Sequence, residues 1–502
     1  MDKTERVEEI GARAGRGLRW SLLGNLVTRA GSFAMGLVLA RVLAPDDFGT
    51  YAVALAATQI VMHIKDVGIH AATIQWRGRL EDMAPTATVL SFLFATGLYA
   101  VFWAFAPAFA AMAGNEGAAG VVRLLTSIIL IEAFTAVRSA ALLRRFDQDK
   151  LTLAIMIGFV ANAAVAITLA LGGAGAYSFA WGQVTASVVT GILIFFWGWV
   201  PVEIGFDREV AAKLLRFGVP SALGFGLEAV LMNSSYVVVG DVLGSEQLGY
   251  YLLAFNVSSW VPGIIGTALR YVSLPSFSRL AEDPVALSEG VRRSVPVMVA
   301  FVLPPALVMA VLAHPLITFL YGDRWDLSAG VLRWLAVLMV VRMLISFLAV
   351  DILTGLGATR TTVVLNLCWA VALLPALVAG AHLGGIRGAA VAHAVVAVTV
   401  TVPIALFVLR RAGVRLAPAL PALVRPALGG IAAGALMLLL ERLTRSGPAP
   451  VQLVVAGGGG LLLFVLVAVP GAVLKKAVSK TAVVKRAVVK RAGSKRPIRR
   501  SA

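Results

Sequence analysis

This chain is short of charge, of cysteine and of polar stretches. Only 14% of its 502 residues are charged and 59% are hydrophobic. A soluble domain carries about 25% charged residues, so a soluble globular protein is excluded, and the mean hydropathy of +0.88 agrees. The single cysteine, Cys368, rules out an intrachain disulfide and a cysteine-based metal site. The five histidines form no cluster with ligand spacing. His63 and His70 bracket Asp66 on one helical face, which reads as a packed interfacial helix. No metal and no cofactor is expected. Enzyme signatures are missing: there is no GxxxxGK[ST] phosphate loop, GxSxG elbow, HExxH or CxxC. The GGGG run at 457–460 lies in apolar sequence without a lysine and reads as a close-packing face. No apolar segment precedes Leu18, so no cleavable signal peptide is expected and the first hydrophobic helix serves as the insertion signal.

Apolar stretches of about 20 residues recur from end to end. In a bilayer such stretches satisfy their backbone hydrogen bonds as helices, and the alternation of an outer-membrane strand is absent. The expected fold is an all-α, polytopic membrane protein of about fourteen transmembrane helices, two pseudo-symmetric six-helix lobes plus two C-terminal helices. The boundaries read as an N-terminal segment 1–17, an N-lobe 18–200, a C-lobe 201–410, C-terminal helices within 411–474 and a tail 475–502. With the N-terminus inside, the predicted inner loops hold 16 Lys/Arg and the outer loops four, Arg324, Arg387, Arg442 and Arg445, with Arg123 ambiguous. That asymmetry puts both termini in the cytoplasm. The tail carries eleven basic and no acidic residues of a net charge of +18, a pattern suited to anionic lipids rather than nucleic acid.

The two lobes are read from a repeat. Residues 21–61 align with 221–261 without a gap and share ten identities, among them Leu43/Leu243, Gly49/Gly249 and Tyr51/Tyr251. Six predicted helices separate the copies, so both cross the membrane in the same direction. Parallel repeats of this kind are found in transporters with a substrate site between the lobes. Charges deep in apolar helices mark candidate sites. At 1.5 Å per residue, Arg29, Glu132, Glu228 and Arg342 lie about 16–20 Å into their helices, near the midplane. They fall on equivalent helices of the repeat and are read as lining a cavity, or as ion pairs such as Arg29–Glu228 locking the lobes. Arg138 is of intermediate depth, and Lys65 and Arg270 belong near the cytoplasmic ends of their helices.

LARVLAPDDFGTYAVALAATQIVMHIKDVGIHAATIQ, residues 39–75, resembles the N-terminal signature of the Wzx-type polysaccharide and oligosaccharide flippases, in the polysaccharide transport family of the multidrug/oligosaccharidyl-lipid/polysaccharide exporter superfamily. Arg41, Pro45, Asp47, Phe48, Gly49, Tyr51, Asp66 and Gly68 carry the resemblance. It implies a bacterial cytoplasmic-membrane protein and a partner, an oligosaccharide repeat unit on undecaprenyl pyrophosphate, turned between leaflets by alternating access. The cationic cavity typical of the family makes Arg29 and Arg342 candidates for the pyrophosphate, with Arg138, Lys65 and Arg270 along an access path. Glu132 and Glu228 are candidates to counter those charges or carry a coupling proton. Without an ATPase, an ion gradient, the membrane potential or product removal by a polysaccharide polymerase would drive export. A multidrug or metabolite antiporter and a peptidoglycan-precursor flippase are the alternatives. A membrane polymerase or ligase would need a large external loop, and a scaffold would leave the midplane charges unexplained.

Overall fold

A computed structural model of the chain describes residues 3–65, 80–199, 205–260, 262–266, 283–355, 359–414 and 420–468. Among the described residues the chain is helical and has no strand. In order, the helices are α1 (Lys3–Val42), α2 (Pro45–Lys65), α3 (Leu80–Met112), α4 (Ala119–Thr126), α5 (Ile128–Arg144), α6 (Gln148–Leu171), α7 (Tyr177–Trp197), α8 (Arg208–Leu243) and α9 (Ser245–Ser258). They continue as α10 (Pro284–Val311), α11 (Ala313–Tyr321), α12 (Asp326–Ile345), α13 (Asp351–Gly355), α14 (Thr359–Val396), α15 (Val402–Arg411), α16 (Leu420–Thr444), α17 (Ala449–Gln452) and α18 (Gly458–Ala468).

Each predicted span falls on helix where its residues are described. Among the described residues, ten segments are long and apolar enough to cross a membrane. Val364–Arg411 counts once among the ten, although Gly384 and Gly385 leave helical geometry inside it and make it two rods. The helices α2, α8 and α9 fall outside the ten. Large apolar side chains face outward along the bundle, including Phe196, Val371 and Val454, as lipid-facing surfaces require.

Local chemistry starts the long helices. Asp207 caps α8 by accepting from the amides of Glu209 (2.7 Å) and Val210 (3.2 Å). Asp283 does the same for α10, from Val285 (2.9 Å) and Ala286 (3.1 Å). Small residues then let the rods approach. Gly24 and Gly31 of α1 lie against Thr152 and Phe159 of α6, and Gly158 of α6 lies against Thr190 of α7. The pair α16 and α18 packs together and docks on α10.

The repeated sequence meets itself. Gly49 of α2 rests on the backbone of Ser245, and Gly249 of α9 rests on the backbone of Pro45. Positions 45 and 245, and 49 and 249, are equivalent in the ungapped alignment. The contact is therefore reciprocal, as across a two-fold axis. Ser245 Oγ donates to Asp46 Oδ1 in the same contact. Two helix N-termini converge here, and Asp46, Asp47 and Glu246 in their first turns offset the like-signed ends of the two dipoles.

The flanks repeat the symmetry. Trp325 Nε1 donates to the Ala40 carbonyl at 2.8 Å, while Gly240 lies against the Ala113 carbonyl. Beneath this contact Trp325 is fully buried, edge-on to Phe48 (4.8 Å between centroids) and Tyr250 (5.7 Å). Phe179 stacks on Tyr51 at 4.3 Å. One end of the bundle is thus sealed by backbone contact and an aromatic plug.

Candidate functional site: two cavities divided by α2

Away from the seal, α2 separates two cavities. Leu55 and Gln59 line both. The first, about 560 Å³, is built by α2, α8, α9, α10 and α12 and is lined by His63, Asn233, Tyr236, Arg342 and Asp351. The second, about 600 Å³, is built by α2, α5, α6 and α7 and is lined by Lys65, Glu132, Asn162 and Gln183. Both volumes fall within the roughly 300–1,000 Å³ of small-molecule sites.

Irregular backbone shapes the first cavity. A π-helical turn, Ser346–Val350, joins α12 to α13 and so separates Arg342 from Asp351. A second, Pro262–Gly266, supplies Pro262 and Gly266 to the wall. Such turns are concentrated at functional sites because they displace side chains from the regular helical register. The Arg342 guanidinium lies 5.7 Å from the Trp369 ring centroid. His63 contributes Nδ1, 2.7 Å from the Gln59 carbonyl of its own helix.

The predicted charges separate in space. Arg342 lines the first cavity and Glu132 the second. Lys65, at the end of α2, pairs with Glu132. Arg29 is exposed and lies outside the lining of both cavities. Its Nε donates to Asn25 Oδ1 at 2.9 Å, and its guanidinium lies against Gly263, in the turn that walls the first cavity. Arg138 sits at the far end of α5, where it donates to the Phe195 carbonyl at 2.7 Å and covers the Phe195 ring at 3.5 Å. Glu228 lies on α8, but its side chain is outside the described residues, as are Arg270, Asp66, Gly68 and His70.

The described signature residues cluster at the seal. Asp47 Oδ2 accepts from the Ala44 amide at 2.9 Å and starts α2. Arg41 reaches the Leu320 carbonyl at 3.4 Å. Pro45, Phe48, Gly49 and Tyr51 are buried. Reading charge alone passes over Gln59, Asn162, Gln183, Asn233 and Trp325. For the four amides the available signal is an amide inside an apolar helix, which carries the same need for a partner with less contrast.

The family model for "polysaccharide biosynthesis protein" matches residues 38–329. The chain belongs to this polysaccharide biosynthesis family. Two relatives are the succinoglycan biosynthesis transport protein ExoT of Rhizobium meliloti (strain 1021) and the lipopolysaccharide biosynthesis protein WzxC of Escherichia coli (strain K12). ExoT is 27% identical over 64% of this chain, and the match spans 65% of ExoT's own length. WzxC is 21% identical over 74% of this chain and 76% of WzxC. The fold is similar to that of the lipid II flippase MurJ in its inward closed conformation, with a TM-score of 0.74 at 12% identity, covering 92% of this chain and 99% of MurJ. The polysaccharide biosynthesis family match runs from the end of α1 into α12, so it contains the reciprocal glycine contact and every residue that lines the second cavity.

Within this polysaccharide biosynthesis protein the Lys65–Glu132 pair is open to a direct test. Removing one partner leaves a charge in a partly buried site. Lys65→Met and Glu132→Gln are each expected to lower the melting temperature of the purified protein more than the double variant does. The coupling should be about 0.5–3 kcal/mol. Strictly additive melting shifts across the four proteins would show that the pair is not energetically coupled.

Proposed function

We propose that the chain turns a lipid-linked oligosaccharide, an undecaprenyl-pyrophosphate-linked repeat unit, from the inner to the outer leaflet of the cytoplasmic membrane. The observation that carries this reading is the geometry around α2: two cavities with charged and amide side chains in their walls meet on one helix inside an apolar bundle that is closed at one end. A headgroup is sheltered there while its lipid tail stays in the bilayer. The family, with its polysaccharide transport relatives, supports a glycan substrate, and the MurJ-like fold suits alternating access. Arg342, with Arg29 behind the Pro262–Gly266 turn, is our candidate for the pyrophosphate, because the planar guanidinium fork matches phosphate oxygens.

We take the sealed end as external and both termini as cytoplasmic. Arg144, Arg145, Lys150, Arg208, Lys213, Arg292, Arg293, Arg410 and Arg411 all lie toward the opposite end, which is the positive-inside pattern. The lobes, residues 18–200 and 201–410, would rock so that the α2–α9 contact closes in one state and parts in the other. The chain acts as a transporter rather than an enzyme in this reading, driven by a gradient or by consumption of the product.

Deleting the gene is expected to remove one surface glycan and to leave its lipid-linked repeat unit on the inner leaflet, with both effects reversed by the wild-type gene. Lipid extraction with glycan analysis and surface labelling reads this out. Unchanged surface glycan, together with greater sensitivity to a cationic drug, would replace this reading with that of a multidrug antiporter.

A further inference from the structure

The two cavities differ in one ionisable side chain. Arg342 and Asp351 line the first and Lys65 and Glu132 the second, so each wall carries one charge of each sign. His63 lines the first cavity, and no histidine lines the second. Histidine is the side chain whose charge ordinarily changes between about pH 5 and 8. Protonation of His63 therefore turns the first wall from formally neutral to positive, and the second wall has no such group.

The local geometry fixes which ring nitrogen is involved. His63 Nδ1 lies 2.7 Å from the Gln59 carbonyl. A carbonyl oxygen only accepts, so Nδ1 carries the proton in the neutral ring and Nε2 is a bare lone pair. Nε2 has no hydrogen-bond partner among the described residues, and the residue is exposed. A bare lone pair repels a phosphate oxygen, whereas a protonated Nε2 donates to it with the charge of the ring behind the bond. Depth suits the task. At 1.5 Å per residue, His63 lies about 27 Å along α2 from the sealed end, and Arg342 about 24 Å along α12 from the same end.

We propose that His63 binds the diphosphate through Nε2 once that nitrogen is protonated, so that the headgroup takes up a proton as it enters the first cavity. One proton passes from water to Nε2, no bond in the headgroup breaks, and the proton is free to leave when the phosphate does. The proposal rests on the flippase reading and adds a second ligand for the diphosphate, one whose strength follows the pH of the side to which the cavity opens. The other ionisable groups around this cavity are Tyr236 of α8, Arg342 of α12 and Asp351 of α13, with Arg29 behind the Pro262–Gly266 turn. The helices α9 and α10 add none to the lining. Lys65 and Glu132, in the wall of the second cavity, pair with each other. The side chains of Glu228, Asp66 and His70 lie outside the described residues and enter the test as variants.

The probe is the dimethyl diester of diphosphate, whose negative charges do not titrate near neutrality, so that any pH effect belongs to the protein. It is titrated into the full chain in lipid nanodiscs by calorimetry at about pH 5.5 and about pH 8.5, on either side of the histidine range. Repeating the titration near neutral pH in buffers of different ionisation heat reads the proton uptake. Wild type is expected to bind about tenfold or more tighter at the lower pH, the effect of one charge-assisted hydrogen bond, and to take up protons. His63→Gln should bind at both pH values as weakly as wild type does at the higher one, without proton uptake. His63→Arg carries a fixed charge and should bind tightly at both, which also shows that position 63 tolerates substitution. Glu228→Gln, Asp66→Asn and His70→Gln should keep the wild-type pH dependence. A pH dependence that survives in His63→Gln, or that disappears in one of those three instead, overturns the proposal. So does a wild type that binds the diester equally at both pH values, an outcome that leaves the flippase reading intact. A wild type that binds no diester but does bind a lipophilic cation such as tetraphenylphosphonium removes the flippase reading and the role of His63 together.

Discussion

Gly49→Leu is expected to reduce rescue of surface glycan in a deletion strain to about a tenth of wild type or less, with normal protein in the membrane. A Cβ at position 49 would occupy the space of the Ser245 carbonyl, which is backbone and cannot swing aside. Relief requires that the α2 and α9 ends part. Overpacking of this kind costs about 1–3 kcal/mol, which shifts the population about 5- to 150-fold away from the sealed state. Transport that alternates between a sealed and an open outer end needs both states. Gly249→Leu should behave alike, because Gly249 meets the Pro45 backbone in the reciprocal contact.

The mechanism has its own readout. In a Cys368→Ser background, Asp46→Cys with Ser245→Cys is expected to form a disulfide under oxidation and to stop transport until reduced, since the two native side chains already touch. Introducing Gly49→Leu into that pair should abolish crosslinking. Full rescue by Gly49→Leu would show that transport does not need the sealed state, and free transport by the crosslinked protein would show that the contact does not open during the cycle.

Arg342→Ala is the second large effect. Transport of the lipid-linked unit into proteoliposomes is expected to fall about 100-fold, the loss of charge-assisted hydrogen bonds worth about 1.5–3 kcal/mol. Arg342→Lys keeps a charge but not the planar fork, and should recover part of the rate. Trp369→Ala removes the ring that faces the guanidinium and should cost less, about 0.5–2 kcal/mol. A rate that ignores Arg342→Ala would remove Arg342 from the phosphate role.

Much of this was legible from residue order. Hydropathy sets where helices lie, because lipid leaves the backbone no other partner. The repeat implied two parallel lobes, and the structure adds that its two copies touch reciprocally, Gly49 on Ser245 and Gly249 on Pro45. Depth along a helix is a count of residues, and it led to Arg342 and Glu132, each of which lines a cavity. Depth does not give azimuth. Arg29 is as deep as Glu132 by that count, yet it rests on Asn25 and Gly263 outside both linings. Glu132 was read beside Arg342, yet α2 stands between their cavities and Lys65 pairs with it instead.

Composition, hydropathy period and internal repeat by themselves determined a membrane bundle with a two-fold plan and a short roster of buried charges. Those properties follow from local chemistry summed along the chain. Only the tertiary structure decided which face each charge presents, that the described signature residues build a seal, and that α2 stands between two cavities, one lined by Arg342 and Asp351 and the other by Lys65 and Glu132. These depend on how rods of similar hydropathy rotate and pack, and that rotation is settled by contacts between residues far apart in sequence, such as Trp325 with Ala40 and Lys65 with Glu132.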